Sequence, residues 1–235
     1  MLYNYCILFI LFFIYSVIGY IVEVISVSSL QKKLVLSRGF LIGPYLPIFG
    51  VGGLFMSVFL QRYRADILVL FVMSMVSCLV IEYIGSVVME KIFNLRWWDY
   101  SYQKFNINGR ICLKTGILFG VGGVIVVKLV NPFLMNIISA IPNYLIISIS
   151  ILLAIILLID LTVSNYITLN LQINIDKYAN KDATEEIKRL VKEELKKHNI
   201  LNKRLIKSFP HVYKEQAYSK IKSIIINYKK KKKDN

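Results

Sequence analysis

Two acidic side chains interrupt long apolar runs, each nine residues ahead of a lysine: Glu23 before Lys32, and Glu82 before Lys91. Nine helical residues rise about 13–14 Å, which places both carboxyls near the middle of a bilayer. An acid facing lipid at that depth costs several kcal/mol, so these faces must pack against protein. Small residues recur around them at helical spacing: Ser16, Gly19 and Ser26 beside Glu23, and Ser74, Cys78 and Ser86 beside Glu82. Paired acids of this kind can hold a cation or a proton, or meet a polar substrate. The same pattern also fits two structural glutamates hydrogen-bonded to backbone or hydroxyl groups.

A second group lies in one connecting segment. It reads Arg96-Trp97-Trp98-Asp99-Tyr100-Ser101, then Lys104-Phe105-Asn106-Ile107-Asn108-Gly109-Arg110. Both tryptophans of the chain are here. Trp97, Trp98 and Tyr100 alone would suit an aromatic belt at the membrane boundary. Asp99, Asn106, Asn108 and Arg110 are not needed for a belt, and Asp99 is expected to pair with Arg110 and hold the loop at the mouth of the protein. Glu90 and Asp160 stand near predicted helix ends and are expected to be ordinary interfacial charges. Lys128 is expected to snorkel towards the boundary.

The elements that carry these residues follow from composition. The chain is 56% hydrophobic with a mean hydropathy of +0.58, too apolar for a soluble domain of 235 residues. The expected class is all-α: a polytopic helical membrane protein with about five spans, at 7–30, 40–60, 67–92, 111–127 and 144–163. No small-residue cleavage site follows the first run, which is expected to be a retained span. Residues 1–173 are expected to form the transmembrane domain and 174–235 a basic helical cytoplasmic tail.

Charge sets the expected orientation. The tail carries +10 of the net +15. Lys32, Lys33 and Arg38 follow the first span, and Lys91, Arg96, Lys104, Arg110 and Lys114 surround the third loop. The positive-inside bias puts these on the cytoplasmic side and the N-terminus outside. Arg62 and Arg64 in the second loop run against it, partly offset by Asp66, whereas the connector 129–142 is uncharged, as befits an outer loop. Three cysteines and two tail histidines offer no disulfide frame and no zinc spacing, so no metal or cofactor is implied.

An internal repeat organises the spans. Phe49-Gly50-Val51-Gly52-Gly53 recurs as Phe119-Gly120-Val121-Gly122-Gly123, and Arg38-Gly39 stands where Gly109-Arg110 does. The reading is two parallel helical hairpins followed by one helix. Span two holds Gly39, Gly43-Pro44, Pro47, Gly50, Gly52 and Gly53. Either it is a broken helix lining a path, or its small residues permit close helix packing. In the tail, Ile187, Leu190, Val191 and Leu195 make one apolar stripe, and five lysines run from Lys229 to Lys233. Such a polybasic end can bind anionic lipid headgroups; a solvated tail is the alternative. Nucleic-acid binding is a poor fit, because no aromatic platform accompanies the charge.

The loop motif makes the chain recognisable. Trp-Trp-Asp-Tyr-Ser at 97–101, the run at 105–113 and the pentapeptide at 119–123 resemble the bacterial ABC-transporter permeases of the CmpB-like, type IV kind. Residues 39–50, Ile81-Glu82-Tyr83 and 202–210 look like that family too. The resemblance implies a cell-membrane transporter component moving a small polar or ionic substrate. The chain has no nucleotide-binding P-loop, so an ATPase would be a separate subunit, and further copies of the chain are an open alternative as partners. A rival from another class is an intramembrane enzyme acting on lipid or isoprenoid, with Glu23, Glu82 and Asp99 as its acids and Arg110 on a phosphate. No nucleophile-and-base constellation supports it. A membrane scaffold or sensor with a recruiting tail is a third reading.

Overall fold

A computed structural model of the chain describes residues 2–32, 39–93 and 96–179, with side chains as far as Thr168 apart from those of 30–31. Arg38 and the tail beyond 179, including Lys229 and Lys233, lie outside the described residues. The element order is α1 (Leu2–Gln31), α2 (Pro47–Phe59), α3 (Ile67–Phe93), β1 (Asn106–Ile107), β2 (Ile111–Cys112), α4 (Leu113–Ile125), α5 (Asn131–Ser139) and α6 (Asn143–Ala179).

Among the described residues, four helical stretches are long and apolar enough to cross a membrane: Leu2–Ser29, Ile67–Phe93, Leu113–Ser139 and Asn143–Thr168. Their outer faces are apolar, as Leu68, Leu118 and Leu158 illustrate at 72%, 62% and 64% exposure. Such faces suit lipid, and lipid offers no hydrophobic drive to join helices. Close packing and internal hydrogen bonds must do it.

The expected second span departs from a full helix. Only Pro47–Phe59 is helical, and 39–46 runs as irregular backbone. Pro44 and Pro47 carry no N–H, and Pro47 is tolerated because it opens the helix. Three of the remaining N–H groups find acceptors on other elements. Ile42 and Gly43 donate to the Asp160 carboxylate at 2.8 Å each, and the Leu46 N–H donates to the Ser16 carbonyl at 2.9 Å. Non-helical backbone inside a bundle survives only with partners of this sort.

The fourth span is longer than expected. The helix begun at Leu113 continues to Ser139 through a π turn at Val126–Val130. Pro132 cannot donate to the carbonyl of Lys128, which removes one ordinary helical bond, and Asn131 donates instead five residues back to Val126. Most of the uncharged stretch expected as an outer loop is therefore helix. The last helix likewise runs on to Ala179.

The two hairpins pack alike. α1 lies along α2, and α3 along α4, as the most extensive helix contacts of the fold. A carbon added at Gly50 would strike Phe12, and one at Gly120 would strike Phe71; Gly53 meets Tyr15 where Gly123 meets Ser74. Phe12 and Phe71 stand 59 residues apart, as do Tyr15 and Ser74, and Glu23 and Glu82. The glycines stand 70 apart, so the second hairpin has 11 more residues between its helices. Phe49 and Phe119 meet each other with ring centroids 6.5 Å apart. Gly39 and Gly109 both take positive φ, +85° and +64°, where an L side chain is strained. The repeat is thus one of structure as well as of sequence.

Candidate functional site

The 11 additional residues build a folded loop that turns back along α3 instead of projecting from its end. Asn106 makes the turn: its side chain donates to the Gln103 carbonyl at 2.7 Å and accepts the Gly109 N–H at 3.0 Å. β1 and β2 then pair antiparallel, Ile107 opposite Ile111. Arg96 donates to the Asn108 carbonyl, and the Trp98 indole donates to that of Arg110 at 3.1 Å. Trp97 is buried, with its ring edge-on to Phe93 and Phe40. It is a core residue here and not a member of a surface belt.

Four side-chain contacts fasten this loop to successive turns of α3. The Tyr100 hydroxyl donates to Glu82 Oε1 at 3.1 Å. Asn108 donates to the Tyr83 hydroxyl at 3.0 Å. Arg110 donates to Ser86 Oγ at 2.9 Å and forms an ion pair with Glu90 at 2.6 Å. The expected Asp99–Arg110 pair is not made. Asp99 faces Arg96 at 3.5 Å and accepts the Ser101 hydroxyl and N–H. The reason is local: the Asp99 carboxylate caps its own turn, while Arg110 points along α3 to an acid one turn beyond Ser86. Glu90, expected as an ordinary interfacial charge, is that acid.

Electrostatics follow the same geometry. Burial, then the Glu82 carboxylate, then Glu23, raise the Tyr100 phenol well above its ordinary value. Tyr100 therefore remains a donor to Glu82 at any ordinary pH. Burial pushes the Asp99 carboxyl up, but the two Ser101 donors and the Arg96 guanidinium outweigh it and hold it below the usual range.

The stripe anticipated on α3 is real: Ser74, Cys78, Glu82 and Ser86 are all buried. Glu82 is 7% exposed, and its Oε2 has no hydrogen-bond partner among the described residues. The matching stripe on α1 is only partly internal. Ser16 is fully buried and Gly19 sits under Phe49, but Glu23 is half-buried and Ser26 is exposed. Glu23 lies within electrostatic reach of both Glu82 and Tyr100. One locus thus gathers a buried carboxylate, a second acid and a phenol, at the level where the loop meets the bundle.

Residues 10–165 match the model of a family described as "Putative ABC-transporter type IV". The chain belongs to that family. No curated protein and no solved structure matches it. Among the residues of this family member, sequence reasoning passed over two that organise the site. Asp160 was expected to be interfacial, yet it is buried and accepts four donors: Ile42, Gly43, the Tyr45 hydroxyl at 2.5 Å and Ser164 at 2.9 Å. Tyr100, which by type alone would suit a belt, instead touches Glu82. A signal for Asp160 was present in Pro44 and Pro47, since irregular backbone in a span calls for an acceptor somewhere opposite. For the described residues, no cluster of metal-binding side chains is found.

Proposed function

We propose that this ABC-transporter-type membrane protein is the permease subunit of a transport system, with ATP hydrolysis supplied by a separate chain. A small polar or ionic substrate would pass between the two hairpins, meeting Glu82 and Glu23. The folded loop 96–112 would act as the cytoplasmic closure, with Tyr100 its contact to the substrate-binding acid. The observation that carries this reading is Glu82 itself. Its carboxyl is buried in a span, one oxygen is held by the loop and the other has no partner among the described residues. A buried acid left half-satisfied is costly, and such residues in spans are by default functional.

The charge bias supports an N-terminus outside and a C-terminus in the cytoplasm; an outer-side reporter that is active when fused after Lys104 would overturn this. The lipid-modifying alternative loses support at Arg110, which is engaged by Glu90 and Ser86 and not held open for a phosphate. The test is transport or growth complementation with Glu82→Gln and Glu23→Gln at matched membrane levels. Loss of activity by roughly tenfold or more in both is expected, with normal insertion. Full activity in both variants would sink the paired-acid site.

A further inference from the structure

The end of the bundle away from the folded loop carries a feature that transport between the hairpins does not use. The turn from α2 to α3 is a 3-10 turn at Gln61–Tyr63, and beside it lies the π turn of the fourth span. Together they form an open depression of about 660 Å³ lined by Arg62, Arg64, Ala65, Lys128 and Leu129. Three cations therefore converge from two separate parts of the chain. Arg62 leans over the Tyr63 ring at 4.9 Å. Among the described residues, none of the three has an ion pair. The nearest acid in sequence, Asp66, is occupied as the cap of α3, accepting the Leu68 and Val69 N–H groups at 3.0 Å each.

Three positive charges beside the single acid Asp66 leave a net repulsion, and the positive-inside bias leaves no topological reason for them at this end. Lys128 reaches this surface from within the widened turn that Pro132 enforces. Leu129, which also lines the depression, is 66% exposed, and Ile67 and Leu68 are exposed at the start of α3. Cations on one side and apolar side chains on the other match a phosphate joined to acyl chains better than a free ion.

We propose that this depression binds the phosphate of an anionic phospholipid at the membrane boundary opposite the folded loop. Arginine forks suit phosphate oxygens, and a lysine adds a point charge on a long stem. Bound there, a lipid would tie the α2–α3 turn, which links the two hairpins, to the fourth span.

The test uses the full chain purified in mild detergent with a photoactivatable phosphatidylglycerol whose reactive group sits at the headgroup. Crosslinks are mapped by mass spectrometry. Labelling is expected in the peptides around 61–66 and 126–130, and R62Q/R64Q should lower it there by roughly tenfold or more. Label on the lysine-rich tail should be unchanged, and R62K/R64K should retain most of the wild-type labelling, separating charge from folding. Equal labelling at these two peptides in R62Q/R64Q/K128Q would overturn the proposal. So would equal labelling by the phosphatidylcholine analogue, which has no net charge. Displacement of the label by millimolar inorganic phosphate would contradict the lipid as source and assign the site to the free anion.

Discussion

The linkers of the two hairpins occupy the same place in the repeat and solve one problem in two ways. Each must bring a chain back into the bundle without leaving backbone donors unmet. In the first hairpin, residues 39–46 have no regular structure, and a carboxylate from outside the repeat, Asp160 on α6, accepts the Ile42 and Gly43 N–H groups. In the second, 11 further residues allow a β-turned loop that satisfies itself and is fastened to its own helix through Glu82, Tyr83, Ser86 and Glu90. The first linker thus depends on a helix that neither hairpin contains, besides its Leu46 bond to α1, and the second on the helix from which it emerges. Displacing α6 would take the Asp160 acceptor from the first and leave the second in place. That difference makes the second loop the better candidate for a local gate and the first a structural clamp.

The comparison breaks most severely at Asp160. Asp160→Ala leaves two backbone donors, the Tyr45 hydroxyl and Ser164 without their acceptor inside the bundle, which costs roughly 3–5 kcal/mol. Thermal denaturation in detergent should show a large loss of folded protein, with Asp160→Asn milder because its one oxygen still accepts two of the four donors. A near wild-type Asp160→Ala would remove the clamp. Arg110→Ala should cost less, about 1–3 kcal/mol, since Glu90 at the helix end can regain water. Its readout is protease cleavage near Lys104, expected to rise while cleavage in 39–46 does not; equal change in both linkers would erase the distinction. The smallest effects come from the paired glycines. Gly39→Ala and Gly109→Ala each force an L side chain into positive φ at about 1–2 kcal/mol. Similar losses of thermal stability are expected in both, and a loss at one alone would deny that they are equivalent in the repeat.

Much of this fold was legible in the sequence because bilayer length and the Gly-rich repeat constrain it from two directions. Hydropathy located the helices, and the pentapeptide at 49–53 and 119–123 marked the hairpins whose glycines do pack alike. The errors share one cause. Hydropathy registers apolar length and is blind to where backbone hydrogen bonds are satisfied, so it gives 40–60 as one span, and only its Gly and Pro residues offer the broken helix that is observed. The same blindness ended the fourth span at 127, because uncharged 129–142 scores equally well as loop or helix. Within the site, Glu82 and its stripe were visible from four-residue spacing alone. The pairing of Arg110 with Glu90 was not, because it depends on a loop folding back along α3, a reversal set by the Asn106 and Gly109 turn and unrelated to proximity in sequence. Asp160 lay furthest from view: three of its four partners are more than a hundred residues away.

The central claim is that the loop and the buried acid act as one unit through Tyr100 and Glu82. A double-mutant cycle on activity tests it directly, using Tyr100→Phe, which removes only the hydroxyl, Glu82→Gln, and the two combined, all at matched membrane levels. Tyr100→Phe alone should lower transport or complementation by roughly tenfold, and the double variant should be no worse than Glu82→Gln. Full activity in Tyr100→Phe, or losses that multiply in the double variant, would contradict the claim.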